Sequence, residues 1–396
     1  MKGCDMERYL FLSDLHVGDG RRKDDFEQDY YFEKLIKDFS ENPNVTLFIV
    51  GDVFEFVESE LTLEIDLDNY EKDVENLSAD IIDEYEKSHP LVFSALRKIG
   101  KRGKIYYIVG NHDYYIFKNK KLLERLLEKI PNLQVLPYYY NEKLKLFVVH
   151  GNQFDPVNNF SIEKETGKLV PPLGEYIVKY MMKNFDSSVK VPKQIAKDYD
   201  NVRPTLDLFD WFEVISKKYD IGIDLLRFWI DEFLNMMKTK EAKKWMKTNY
   251  PFWSMFSKIF LNNFGGIKFG ELLVRIIMNF RTLKKTDYLL KKAKRILNNK
   301  IDLEKYMVGY NFKHDVGGVD GIIMGHIHKH NFKVFNMPES PKFYINCGSW
   351  KPVVERIKGK VFHKKNELFY AVLNVGKDVE IITSTVSMLK KREVIF

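Results

Sequence analysis

Seven side chains suited to holding metal stand just past five apolar runs of the chain. Tyr9-Leu10-Phe11-Leu12-Ser13 leads into Asp14-Leu15-His16, and Val45-Thr46-Leu47-Phe48-Ile49-Val50 into Gly51-Asp52. Ile105-Tyr106-Tyr107-Ile108-Val109 leads into Gly110-Asn111-His112-Asp113. Leu146-Phe147-Val148-Val149 leads into His150-Gly151, and Gly321-Ile322-Ile323-Met324-Gly325 into His326-Ile327-His328. Runs of β-branched and aromatic residues without polar interruption suit strands covered on both faces. Open sheets flanked by helices bind ligands at the carboxyl ends of their strands, so Asp14, His16, Asp52, Asn111, His150, His326 and His328 should converge. Oxygen and imidazole donors without thiolate suit two divalent metal ions, Mn²⁺ or Fe²⁺ first, with Zn²⁺ also compatible. Two such ions roughly 3.5–4 Å apart polarise a phosphoryl oxygen, acidify a bound water and clamp an in-line displacement. His112 follows Asn111 and is placed to protonate the leaving oxygen, with Asp113 to orient it.

The elements that must position these groups are legible around them. Helical spacing of Phe26, Tyr30, Phe32, Leu35, Ile36 and Phe39 predicts a helix over residues 24–39. With its flanking strands it forms a β-α-β unit, so those strands should be parallel. A second helix is predicted to reach about residue 99, and a third to span 120–129. Residues 134–140 and 143–149, joined at Asn141-Glu142, read as a hairpin. After Gly151 the pattern turns helical. Leu225, Leu226, Trp229, Ile230, Phe233, Leu234 and Met237 form one apolar stripe, and Leu272, Leu273, Ile276, Ile277 and Phe280 another. Trp211, Trp229, Trp245 and Trp253 lie in the same region. We therefore expect a discontinuous catalytic domain, residues 1–154 and 311–396, split by a mainly α-helical insertion at 155–310.

Composition limits the remaining choices. With 45% hydrophobic and 30% charged residues, the 396-residue chain reads as a soluble protein with room for a sizeable core. It has no run of roughly 18 apolar residues, as a membrane span needs, and no apolar signal-peptide region. Cys4 and Cys347 make no disulfide framework, which suits a reducing, cytoplasmic setting. Residues 155–310 hold 28 Lys+Arg against 19 Asp+Glu, although the whole chain carries only +7. That basic excess suits an anionic substrate, the inner face of a membrane, or nucleic acid; its Lys284-Lys285 and Lys291-Lys292-Ala293-Lys294-Arg295 clusters otherwise form a solvated helix face.

Taken together, Asp14-Leu15-His16, Gly51-Asp52, Gly110-Asn111-His112-Asp113, His150-Gly151 and Gly325-His326-Ile327-His328 resemble the five blocks of the calcineurin-like metallophosphoesterases, in family order. The resemblance implies an α/β fold, an αββα sandwich of two mixed β-sheets flanked by helices, and a dinuclear site. It implies that Asp14, His16, Asp52 and His328 hold one ion, and that Asp52, Asn111, His150 and His326 hold the other. His112 would be the acid or transition-state stabiliser. Gly51-Asp52-Val53-Phe54-Glu55-Phe56, His150-Gly151-Asn152-Gln153-Phe154-Asp155 and Asn346-Cys347-Gly348-Ser349-Trp350 further resemble the UDP-2,3-diacylglucosamine pyrophosphatase group. That group hydrolyses a diphosphate, usually with manganese, beneath a helical lid over acyl chains. The chain departs from it in three respects: His112 stands where the group carries arginine, Asn152 where aspartate is usual, and the insert is longer than the lid.

The function expected is metal-dependent hydrolysis of a phosphodiester or diphosphate bond in a phosphate-containing small-molecule or lipid-linked substrate. DNA-repair nucleases share the Asp-x-His, Gly-Asp, Gly-Asn-His-Asp and Gly-His-x-His patterns, but this chain has no aromatic-interleaved basic ladder for nucleic acid. A metal-free scaffold should lack ligands, and none is lacking. Among the other histidines, His330 should lie past the site, His89 and His363 at the surface or at helix ends, and His314 in a polar loop near the returning strand.

Overall fold

The computed structural model describes residues 6–41, 44–163, 166–188, 191–204, 207–249, 288–301, 303, 306–307, 318–338, 340–386 and 392–395. Trp253, the stripe from Leu272 to Phe280, Lys284, Lys285, His314 and Cys4 lie outside the described residues.

Side chains alternate between two destinations along every central strand. Leu10 and Leu12 of β1 (Glu7–Leu12) pack toward helices, whereas Tyr9 and Phe11 pack toward a second sheet. The same period of two divides Leu47 and Ile49 from Phe48 and Val50 in β2 (Val45–Val50), and Ile105 and Tyr107 from Ile108 in β3 (Lys104–Ile108). These strands join β4 (Leu133–Leu136), β15 (Phe369–Val375) and β16 (Val379–Thr385) in a six-stranded sheet, ordered β16-β15-β1-β2-β3-β4. From β1 to β4 its pairings are parallel.

The second sheet holds β5 (Tyr139–Asn141), β6 (Leu146–Val148), β10 (Gly321–Met324), β11 (His330–Asn336) and β12 (Pro341–Cys347), ordered β11-β12-β10-β6-β5. Its Leu146, Val148, Ile323 and Ile345 meet Phe11, Phe48 and Ile108 of the first sheet in a shared apolar layer. Phe48 stacks on Phe11 at 4.7 Å and on Tyr106 at 4.9 Å between ring centroids. On the far side of the first sheet lie α1 (Asp29–Ser40), α2 (Tyr70–Asn76), α3 (Ile81–Ser88), α4 (Pro90–Gly100), α5 (Tyr114–Lys118) and α6 (Lys120–Lys129). The expected α/β sandwich is therefore present, with mixed sheets between helices.

Residues 155–310 contribute short β7 (Ser161–Ile162), β8 (Leu169–Val170) and β9 (Val202–Arg203). The helices there are α7 (Leu173–Met181), α8 (Lys193–Asp198), α9 (Leu208–Lys218), α10 (Leu225–Met237), α11 (Lys240–Asn249) and α12 (Tyr288–Leu297). The α10 stripe is core: Leu225, Trp229, Ile230, Phe233 and Met237 are buried in the cluster that also takes Phe32 and Val92. Helix α12 instead covers the second sheet through Leu289, Ala293 and Ile296. β9 pairs in parallel with β13 (Val353–Lys358), which continues to β14 (Val361–Lys365) and β17 (Arg392–Ile395). Among the described residues no helix is long and apolar enough to cross a membrane.

Three local expectations are corrected. The strand expected over 134–140 divides at Pro137, which has no N–H for a ladder; β4 stays in the first sheet while β5 pairs with β6. The helix expected from 24 begins at Asp29, because the Asp24 carboxylate accepts the N–H groups of Gly20 and Phe26 in a turn. The single helix expected to end near 99 is three, the last restarted by Pro90 at its first turn. The 120–129 helix falls where expected, capped by Asn119, whose side chain accepts from Lys121 and Leu122 N–H.

His89 caps α4 as a helix-end residue but is buried, with Nε2 2.7 Å from Asp24 and Nδ1 3.1 Å from Asp29. Burial opposes its charge, yet Asp24 and Asp29 overcome it and push His89 up to about 9. The imidazolium thus stabilises the fold fully below its unfolded value of 6.5, and that contribution disappears as pH rises through 9. Urea unfolding between pH 6 and 9.5 should show the parent losing up to about 3 kcal/mol that a His89→Gln variant does not lose. Identical pH slopes in the two proteins would contradict this linkage.

Candidate metal centre

The loops after β1 and β2 run side by side beyond the sheet. Asp14 N donates to Gly51 O at 3.1 Å, His16 N to Asp52 O at 2.9 Å, and Glu55 N to Val17 O at 2.9 Å. Tight turns at these strand ends force unusual backbone. Nine described non-glycine residues have positive φ, and five of them are Asp14, His16, Asp52, His326 and His328, at 50° to 74°. Each such residue costs about 1–2 kcal/mol, so strain is concentrated where chemistry is expected. Gly51, at φ 86°, could not carry a Cβ without striking the His150 ring.

All seven side chains expected at the metal site are brought to one place. Asp14 Oδ1 lies 3.2 Å from His328 Nε2 and 4.0 Å from His150 Nε2. His16 Nε2 lies 3.3 Å from His328 Nε2, and Asp52 Oδ2 lies 3.1 Å from His150 Nε2. Asp14, His16 and His328 form one donor group; Asp52, His150 and His326 form another. Donors bonded to a common ion at ~2.1 Å stand roughly 3–3.5 Å apart, which the three shorter separations match.

The tautomers aim lone pairs inward. His150 Nδ1 donates to Val50 O at 2.7 Å, so Nε2 is the lone-pair atom. His16 Nδ1 donates to Glu55 Oε2 at 2.6 Å, directing its Nε2 lone pair toward His328. His326 Nε2 is held by Asp155 Oδ2 at 3.1 Å. Asp14 Oδ1, Asn111 Oδ1 and His150 Nε2 are buried without a hydrogen-bond partner; the 3.1 Å approach of His150 to Asp52 lacks hydrogen-bonding geometry. Buried orphan acceptors of this kind are expected to be satisfied by an ion or water, and hard oxygen beside imidazole suits a divalent cation.

Electrostatics follow from this crowding. Burial would raise Asp14 and Asp52, but the nearby histidines, His150 foremost, hold Asp14 below and Asp52 well below the usual carboxylate range. Burial would lower His150, yet Asp52 and Asp14 push it up to about 9, so a cation bound there would displace a proton from Nε2. His328 is pushed down to about 3 by burial, with Arg203 and His16 adding to the effect against Asp14.

The partner expected for His112 is not the one observed. Asp113 spends its oxygens on the backbone: it accepts from Gly110 N at 2.7 Å, Asp52 N at 2.8 Å and Val53 N at 3.3 Å, and from the Tyr107 hydroxyl. It shapes the loop that carries Asp52; Glu55, not Asp113, orients His112. Glu55 Oε1 is 2.9 Å from His112 Nδ1, while its other oxygen holds His16. Despite burial, Glu55 and Asp52 raise His112 well above the usual imidazole value, so it carries a proton at neutral pH.

Strand ends alone do not reveal Glu55; its signal in the sequence is an acid set within the apolar run Val53-Phe54-Glu55-Phe56-Val57. Asp155 was missed for a similar reason, having been read as the edge of the helical region. Glu55→Gln should weaken Mn²⁺ binding by about 10–100-fold in a calorimetric titration, because the acceptor that orients His16 is halved. Affinity equal to the parent's would show that Glu55 does not set the site.

The remaining residues are accounted for nearby. The Asn346–Trp350 turn braces the site, with Ser349 Oγ and Trp350 N both 3.0 Å from Asp14 O. His330 stacks on Phe369 at 4.5 Å, away from the cluster. His363 stands 3.5 Å from Glu355. A cavity of about 430 Å³ opens beside the cluster, lined by His16, Asp52, Asn111, His112, His326 and His328 on one side.

A family model described as calcineurin-like phosphoesterase matches residues 7–330. No curated protein sequence matches the chain. Among solved structures, the chain is similar to a dimetal phosphatase from Danio rerio at 10% identity and a TM-score of 0.25, over 96% of this chain and 99% of that one.

Proposed function

The chain belongs to the calcineurin-like phosphoesterase family and is a metal-dependent hydrolase of phosphoric ester bonds; on that premise we propose that it cleaves a phosphodiester or diphosphate bond in a nucleotide-sized substrate. Members of this family work with two divalent ions, which supply Lewis-acid polarisation of a phosphoryl oxygen and a low-pKa water as nucleophile. In our reading Asp14, His16, Asp52 and His328 hold one ion, and Asp52, Asn111, His150 and His326 the other, with Mn²⁺ the favoured metal. The observation that carries this reading is the pair of adjacent donor groups with inward-facing orphan atoms.

The chain's own residues then divide the work. Glu55 holds His112 through Nδ1, leaving Nε2 as the atom that delivers a proton to the departing oxygen. Asp113 and Tyr107 fix the backbone beneath Asp52 and His112. Residues 1–154 and 311–396 form the catalytic domain in this reading, and residues 155–310 wall the cavity. Val178, Pro204 and Tyr288 from that region line it.

UDP-2,3-diacylglucosamine is the specific substrate suggested by the motif resemblance, and an aryl phosphodiester is its generic counterpart. Acyl chains require an apolar groove, whereas the α10 stripe is buried and the described cavity lining is rich in charge. We therefore expect Mn²⁺-dependent cleavage of nucleotide diphosphate diesters and of the aryl diester to exceed cleavage of the diacylated substrate. Cleavage of the lipid alone would reverse that preference, and cleavage of none would remove the reading.

A further inference from the structure

Helix α7 of the 155–310 region turns one face toward the catalytic residues. Its Val178 lines the cavity, and Glu175 and Lys179, three residues before and one after, are buried on the same face. Leu173, Tyr176, Ile177 and Met181 already bury α7 in the apolar core, so adhesion alone does not require a buried acid and a buried amine. Burial disfavours both charged forms, pushing Glu175 up to about 8 and Lys179 down to about 7. Such groups persist in an interface where their hydrogen bonds fix its geometry.

The two residues lead to different places. Glu175 Oε2 accepts from the Tyr70 hydroxyl at 2.8 Å, and that hydroxyl lies 3.0 Å from the Tyr115 hydroxyl. Tyr115 stands in the first turn of α5, three residues after His112. Lys179 Nζ donates to Thr62 Oγ1 at 2.7 Å and to Thr62 O at 3.0 Å. Thr62 Oγ1 in turn donates at 2.6 Å to the carbonyl of Phe56, the residue after Glu55. The branches meet where the Phe56 and Tyr115 rings stack at 5.6 Å between centroids. One turn of α7 thus ties down both the segment carrying His112 and the segment carrying Glu55, whose Oε1 is 2.9 Å from His112 Nδ1. The Glu175 carboxyl also interacts electrostatically with His112 itself.

We propose that Glu175 and Lys179 are positioning residues for His112, holding its imidazole against Glu55 through Tyr70–Tyr115 on one side and Thr62–Phe56 on the other. The inference rests on the reading of His112 as the acid, and it gives the inserted region a part in the chemical step beyond walling the cavity. Misplacing a reacting group by about 1 Å costs up to about 100-fold even when the substitution lies away from the chemistry. The hydrogen bonds of Glu175 and Lys179 involve no proposed metal ligand, so the metal should stay.

The test compares Mn²⁺-loaded full chains on two aryl phosphodiesters that differ only in the leaving group. A nitrophenolate departs without a proton, whereas an unsubstituted phenolate requires one. Glu175→Leu, Lys179→Met and Tyr70→Phe should each cut phenolate turnover by about tenfold or more and nitrophenolate turnover by less than about threefold, with the metal content of the parent. Glu175→Gln keeps an acceptor for the Tyr70 hydroxyl and should recover most of the loss. Tyr70→Phe keeps the ring and its packing, so it decides the matter even where substitution of Glu175 or Lys179 disturbs the fold. Equal losses on the two substrates, or undiminished phenolate turnover in all three variants, overturns the positioning role when His112→Ala still separates the substrates. A His112→Ala chain that does not separate them would overturn the acid reading itself.

Discussion

Replacing Asp52 by Asn should lower turnover of an aryl phosphodiester by roughly a thousandfold or more and leave the chain depleted of metal. Asp52 belongs to one donor group and reaches toward the other. Its Oδ2 stands 3.1 Å from His150 Nε2 and 3.9 Å from His16 Nε2, while Oδ1 receives the His112 N–H at 2.9 Å. No other described carboxylate approaches histidines of both groups while holding the acid's backbone. The substitution preserves volume, and the asparagine oxygen can still accept from His112 N, so a circular-dichroism melt serves as the folding control. Turnover within a few fold of the parent, in protein that melts normally, would remove Asp52 from the centre.

His112→Ala should behave in the opposite way toward metal. It should lose about 10²–10⁴ in turnover, the usual contribution of a positioned acid, while retaining both ions. The geometry separates the two roles: His112 is fixed through Glu55 and lies against the His16 ring at 4.8 Å between centroids, yet its proton is kept by neighbouring negative charge and not by the donors that face inward. Loss should be smaller with a substrate whose leaving group needs no proton, such as a nitrophenolate. Equal losses with good and poor leaving groups would contradict the acid role.

Much of the fold and the site was legible because buried strands reveal themselves by a period of two and by the polar residues just past their ends. Tyr9–Leu12, Val45–Val50 and Ile105–Ile108 alternate between two apolar layers, and the polar residues after them have nowhere to go but the strand ends. Asp14, His16 and Asp52 could be grouped without coordinates for that reason. The features that stayed hidden depend on loops crossing one another. Glu55 reaches His16 only because the β1 and β2 loops run in parallel through the Val17–Phe54 bridge, a pairing no local pattern encodes. Assigning His112 to Asp113 relied on proximity in sequence, whereas Asp113 was consumed by three backbone N–H groups. The break at Pro137 had its signal in the chain, but the apolar run across it was stronger. Burial of His89 likewise required Asp24 and Asp29, distant in sequence, to arrive from one side.

Elemental analysis of chain purified with Mn²⁺ and freed of excess metal tests the central claim most directly, run beside Asp52→Asn. The dinuclear centre requires two ions per parent chain, one or fewer in the variant, and phosphodiester turnover that a chelator abolishes and Mn²⁺ restores. A parent that binds no divalent ion, or hydrolysis that persists undiminished in chelator, would contradict it.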